Sequence, residues 1–298
     1  NLLKSNPLHV IIMAFLLNFI FAVGNAQSVA NYTTSRNTAI SYGSIASTGN
    51  SFAGWRNSSS LIEDDNRSVA TDIGFDFWYN GQRFTQFSVS TNGFIDFSNT
   101  TADGGPVCNA YGYCNSEFSV SSNGTWLALA PFYDDMTTQG GSDPLGTSIK
   151  YLLSGIAPNR VLTIEWVNMA VFGNTTPALN FQVKLYETTG RIEFLYGTMI
   201  TGTNVFSYTL GINAATVNST PLASQLKTQQ TTNSNTFNNT PQNNLSTLPQ
   251  SNSQINFVSP TPTAPAGSLT IGSITRTGMT LSWPNWASNE VGYVLYYS

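Results

Sequence analysis

From Asp72 to Ser98 the chain reads DIGFDFWYNGQRFTQFSVSTNGFIDFS. Phe75, Phe77 and Tyr79 alternate with polar residues, Phe84, Phe87 and Val89 follow, and Phe94 to Phe97 close the stretch. Alternation with a period of two turns one face of an extended strand toward a core. Asn80-Gly81 and Asn92-Gly93 separate the pieces, and Asn-Gly favours tight hairpin turns because it tolerates the positive φ they require. The pattern predicts strand, turn, strand, turn, strand.

The same logic extends along the chain. Tyr32 to Ile45 alternates only loosely, whereas Trp126 to Tyr133 is a continuous apolar run, as expected of a central strand buried on both faces. Thr147–Gly155 and Arg160–Phe172 form a pair around the turn Ala157-Pro158-Asn159. Leu179–Thr188 and Arg191–Met199 flank Thr189-Gly190 as a further hairpin, and Phe206–Asn213 adds another strand. The Asn/Gln/Thr/Ser-rich stretch Ala214–Gln254 has little to bury and reads as loop with at most a short strand, before a last strand at Ile255–Val258. Ser259–Gly267, SPTPTAPAG, is a stiff proline-rich linker. Strand-like pieces with turns between them and no amphipathic helix after residue 26 make the expected class all-β, an antiparallel β-sandwich.

Composition supports this. Charged residues are 9% of the 298, apolar residues 41% and aromatics 12%. The polar remainder is rich in Asn, Ser, Thr and Gly, which favour turns over helices. The net charge is −4 and there is no basic run, so the footprint of a nucleic-acid binder is absent.

Lys4, the apolar run Val10–Val23 and then Gly24-Asn25-Ala26 have the layout of a secretory signal peptide over residues 1–26, cut after Ala26. The apolar run is shorter than the ~20 residues a membrane span needs, and no later segment has the character of one. The first residue is Asn, so a clipped start is expected. An exported chain is secreted or sits at the cell surface. There, Cys108 and Cys114 in CNAYGYC are expected to form a local disulfide, with free thiols as the alternative.

The single histidine, His9, lies inside the leader. Without it the mature chain lacks the usual base of Ser-His-Asp and Cys-His systems and the commonest zinc ligand. No G-x-S-x-G, P-loop or Rossmann glycine pattern occurs. Carboxylate chemistry remains, and a glycosidase sets two carboxyl groups about 5–9.5 Å apart. Glu165 and Glu193 alternate with apolar neighbours and read as solvated outward positions. Asp134 and Asp135 follow LALAPFY directly, and consecutive strand residues point to opposite faces. They read as a strand end at which one carboxylate accepts backbone N–H groups of the turn Thr137–Gly141 and the other faces water. Calcium held by Asp134, Asp135 and Asp143 is the alternative, since carboxylate and carbonyl oxygens suit a hard cation, and a catalytic role is a further one. No other cofactor is expected. Glu63-Asp64-Asp65 reads as a solvated acidic loop. Trp55, Tyr111 and Tyr113 fall outside clear strands and are the candidates for stacking on an extracellular glycan, with Trp55 packing over a sandwich edge as the alternative. Trp78, Trp126 and Trp166 lie in strand-like runs and read as core or sheet-face residues.

Two resemblances follow. IGFDFWYNGQRFTQFSVSTNGFIDF, LAPFYDDM, VLTIEWVNM and NFQVKLYETTGRIEFLYG together resemble the nidogen-like β-sandwich of secreted bacterial multidomain proteins, placing that domain at residues 27–258. After the linker at 259–267, residues 268–298 resemble the opening strands of a fibronectin type III domain, with LTIGSIT, MTLSW and NEVGYVLYYS as its pieces and Trp283 and Tyr293 as its core residues. Such a sandwich has seven strands, so an incomplete domain and a longer parent protein are expected. The resemblance implies a non-catalytic extracellular adhesion or architectural module with a glycan or protein ligand. The alternative is a carbohydrate-binding accessory region of a secreted polysaccharide-degrading enzyme.

Overall fold

The computed structural model describes residues 28–56, 66–97, 118, 126–137, 148–172, 178–202, 206–215, 223–242, 244–260, 270–275 and 278–282. The expected signal peptide at 1–26, residues 63–65, both cysteines, Tyr111, Tyr113, Asp143, most of the stretch 259–267 read as a linker, Trp283 and Tyr293 lie outside the described residues.

The strands are β1 (Thr33–Thr38), β2 (Asn50–Ser51), β3 (Thr71–Tyr79), β4 (Gln82–Ser90), β5 (Phe94–Asp96), β6 (Trp126–Tyr133), β7 (Met136–Thr137), β8 (Ser148–Ser154) and β9 (Val161–Val171). They continue as β10 (Ala178–Tyr186), β11 (Ile192–Ile200), β12 (Thr209–Ala215), β13 (Leu226–Gln229), β14 (Phe237–Asn238), β15 (Ser253–Val258), β16 (Thr270–Thr275) and β17 (Gly278–Ser282). One sheet has the order β1-β15-β11-β10-β9-β8-β2, with β7 also paired to β9. The second has the order β14-β13-β12-β6-β5-β4-β3, and β16 and β17 form a separate hairpin. The architecture is an antiparallel β-sandwich.

The turns form where the dipeptides predict. Asn80 and Gly81 have φ of 50° and 76°, and Gly93 has φ 79°. At Gly93 an added Cβ would sit 1.9 Å from the Phe132 carbonyl oxygen, so the approach of β6 itself requires glycine there.

The inner faces share one core. Phe75, Phe77, Tyr79, Ile95, Leu129 and Ile212 from the second sheet meet Leu162, Ile164, Trp166, Phe181, Phe194 and Phe257 from the first. Trp166 stacks on Phe181 with ring centroids 5.0 Å apart. Hydrogen bonds also join the sheets within the core: Trp166 Nε1 donates to the Ser90 carbonyl at 2.9 Å, and Tyr196 Oη donates to the Pro131 carbonyl at 2.8 Å. A smaller cluster of Phe94, Phe118, Ala128, Ala130, Tyr133 and Leu226 forms alongside it.

Three sequence expectations need correction. Glu165 and Glu193 are buried, at 0% and 4% exposure. Alternation does place Glu165 opposite Ile164 and Trp166, but residues 39–49 return as a strap over that outer face. Tyr42 Oη donates to Glu165 Oε1 at 2.9 Å, the Ile45 N–H donates to Oε2 at 2.6 Å, and Gln182 Nε2 donates to the Gly43 carbonyl at 2.8 Å. Glu193 accepts from Tyr186 Oη at 2.6 Å and pairs with Arg191 at 2.9 Å. The third correction concerns Ala214–Gln254, which carries two short strands, β13 and β14. Side-chain amides hold this region: Gln229 Nε2 donates to the Ser234 carbonyl, Gln230 Nε2 to Thr240, Gln242 Nε2 to Gln230 and Asn233 Nδ2 to Leu248. Apolar burial is sparse there, and hydrogen bonding to backbone takes its place.

Candidate functional site

Asp134 and Asp135 sit where the chain leaves one sheet for the other. β6 pairs with β5 and β12 in the second sheet, whereas β7, two residues further on, pairs Met136 with Val171 of β9 in the first. The connection is fixed on both sides. Asn92 Oδ1 accepts the Met136 N–H at 2.9 Å, and the Phe172 N–H donates to the Asp135 carbonyl at 2.8 Å.

The two carboxylates differ. Asp134 is 8% exposed, and its Oδ1 accepts the Asp135 N–H at 2.9 Å. Its Oδ2 is buried without a hydrogen-bond partner. Burial raises the Asp134 carboxyl to about 7; the Asp135 charge pushes the same way, while the Asp135 and Ser207 N–H groups pull it back. Asp135 is half-buried. Among the described residues no three acids, cysteines or histidines gather as a metal cluster.

Asp96, Glu165, Glu187 and Glu193 are engaged within the sandwich. Arg67 Nη2 meets Asp96 Oδ2 at 2.6 Å and Arg67 Nε donates to Ser88 Oγ at 2.7 Å, all buried. Arg160 clamps Glu187 through Nη2 at 2.5 Å and Nε at 2.8 Å, which holds the Glu187 carboxyl below its usual range. Glu165 and Glu193 are occupied as described above. A catalytic carboxylate must instead face substrate.

The aromatic candidates also separate. Trp55 bridges to Ser68 and is half-buried, its ring 5.8 Å from Phe52 in an edge contact. Trp78 is 42% exposed on the face of β3. Arg83 stands directly opposite it on β4 but turns to Asp76 at 2.7 Å, and Gln86 bonds Asp72 at 2.8 Å nearby. Trp78 makes no ring contact among the described residues, and Asp76 is held below its usual range by Arg83. Sequence reasoning singled out Trp55 because it lies outside a strand. Trp78, which the sequence leaves as either a core or a sheet-face residue, lies on the outer face, in alternation with the core residues Phe77 and Tyr79.

The class these two sheets define is an antiparallel β-sandwich module. A family model described as NIDO related matches residues 31–260, and the chain belongs to that family, one of non-catalytic extracellular modules. No curated protein and no solved structure matches the chain. No helix among the described residues is long and apolar enough to cross a membrane.

Proposed function

We propose that this chain is an adhesion or spacer module of a larger extracellular protein, working without catalysis of its own. The observation that carries the reading is the fate of its acids. Asp96, Glu165, Glu187 and Glu193 are each engaged in an ion pair or hydrogen bonds that hold the sandwich together. In this reading residues 1–26 are an export leader, 259–267 a linker, and 268–298 the start of a fibronectin type III domain, for which the β16–β17 hairpin supplies the first pairing. The Cys108–Cys114 disulfide belongs to the same reading. The test is attachment: beads coated with the purified chain should bind cells or matrix saturably and be displaced by soluble chain. Turnover of polysaccharide by the chain, lost on Asp134→Asn, would refute it.

A second reading is carbohydrate recognition, and Trp78 favours it. An exposed indole offers a flat face for a sugar ring, and Asp76, Arg83, Asp72 and Gln86 offer hydroxyl partners beside it. Trp55, with Tyr111 and Tyr113, remains the other candidate platform. Pull-down on insoluble chitin and cellulose, comparing Trp78→Ala with Trp55→Ala, separates the two platforms. Retention lost only in Trp78→Ala assigns the site to the β3–β4 face, and no retention by the unsubstituted chain rejects both platforms for these glycans.

A further inference from the structure

The corner between β6 and β7 contains an unresolved electrostatic conflict. A carboxylate oxygen taken out of water without a hydrogen bond is costly, and a neighbouring acid makes it costlier. Asp134 Oδ2 is in that position: buried, without a partner, and beside Asp135. No ion pair among the described residues involves Asp134. Bonds to Asn92 and Phe172 fix the flanking backbone, so the pair cannot easily relax outward.

Such a carboxylate can be neutralised by a proton or by a cation. A cation meets the buried Asp134 oxygen without neutralising it by protonation, and the half-buried Asp135 beside it adds further anionic oxygen donors. Protein oxygen donors without imidazole or thiolate define a hard-cation site, and calcium accepts variable geometry with water completing its shell, whereas magnesium demands a near-ideal octahedron. We propose that the Asp134–Asp135 corner binds calcium, with Asp134 Oδ2 and the Asp135 carboxylate as protein ligands and water completing the shell from the half-buried Asp135 side. Few protein ligands imply the weak end of the calcium scale, about 10⁻⁴–10⁻³ M, which is the range of extracellular modules. Bound there, the ion would pin the step by which the chain joins the two sheets. The inference stands apart from the adhesion reading, since it concerns the corner and not the partner.

The experiment uses the full chain at pH 8. Its melting temperature is recorded in EDTA and in rising CaCl₂, with MgCl₂ as comparison. Terbium luminescence sensitised through the adjacent Tyr133 reports occupancy directly. The expected result is a melting temperature that rises by a few degrees once calcium exceeds its Kd about tenfold. Magnesium should give a smaller rise, and calcium should displace terbium. Asp134→Asn should abolish the calcium shift and the luminescence, and Asp135→Asn should weaken calcium at least about tenfold. The absence of both shift and luminescence at ~10 mM calcium, far above the expected Kd, would overturn the proposal. Calcium binding unchanged in Asp134→Asn would overturn it equally. Should Asp134→Asn fail to fold, the half-buried Asp135→Asn carries the comparison, and unchanged affinity there overturns the assignment.

Discussion

Trp166 Nε1 donates across the sandwich to the carbonyl of Ser90, 2.9 Å away. The indole belongs to β9 and the carbonyl to the end of β4, so one hydrogen bond ties the two sheets in the middle of an apolar core. Trp166→Phe keeps most of the ring packing against Phe181 but leaves the Ser90 carbonyl without that donor. That carbonyl still accepts the Gly93 N–H at 3.3 Å, so the loss is that of one net hydrogen bond, about 0.5–1.5 kcal/mol. The expected outcome is a lower urea midpoint with an unchanged m value, read by chemical denaturation. An unaltered midpoint would mean that the bond contributes nothing net.

The strap at 39–49 depends on Glu165. Both of its carboxylate oxygens are used, by Tyr42 Oη and by the Ile45 N–H, and the side chain is fully buried. Burial and the Glu165 charge together push the Tyr42 hydroxyl well above its ordinary range, so it stays a donor at every accessible pH. Glu165→Ala removes the acceptor for both donors, whereas Glu165→Gln can rotate to accept from Ile45 and donate to Tyr42. Hydrogen exchange over 39–49 should rise strongly in the Ala variant and little in the Gln variant. Equal exchange in the two would show that the strap is held by other contacts.

The strap also marks the boundary of what the sequence discloses. Phe75, Phe77 and Tyr79, the two Asn-Gly turns and the Thr189-Gly190 hairpin were legible because each encodes its geometry within a few residues. The Asp134–Asp135 step was legible as a strand end for the same reason. Burial of Glu165 was not legible, because it depends on Tyr42 and Ile45, which lie 123 and 120 residues away in the chain. A carboxylate beneath a returning segment has the same alternation as one in water. Ala214–Gln254 was under-read for a different reason. Its order comes from Gln229, Gln230 and Asn233 bonding backbone carbonyls, a source that apolar periodicity does not detect. The unpartnered Asp134 Oδ2 likewise emerges only when the sheets are assembled around it.

Glycine 93 gives a sharp steric test. A Cβ there would fall 1.9 Å from the Phe132 carbonyl oxygen and 2.6 Å from the Met136 methyl, on a backbone with φ +79°. At Gly54 the nearest atoms are Val69 methyls at 3.6 Å and 3.7 Å, an ordinary contact. Gly93→Ala should therefore lose several kcal/mol or fail to fold, while Gly54→Ala should stay within about 1 kcal/mol of the unsubstituted chain. Soluble yield and thermal melting decide it. Comparable melting of the two variants would show that β6 can withdraw from the turn.

Asp134 makes stability depend on pH when chelator is present. Its carboxyl is raised from 3.8 to about 7 in the folded chain, chiefly by burial. The folded state therefore holds a proton that the unfolded state has released. Stability is highest below the unfolded value, falls as pH rises from about 4 to 7, and levels off above. A shift of this size corresponds to a loss on the order of 4 kcal/mol across that window. In EDTA the denaturation midpoint should fall between pH 5 and 7.5, and Asp134→Asn should remove most of that slope. Saturating calcium should flatten it too, because an ion held by the ionised carboxylate competes with the proton. A slope that is equally steep in Asp134→Asn would assign the pH dependence to another group.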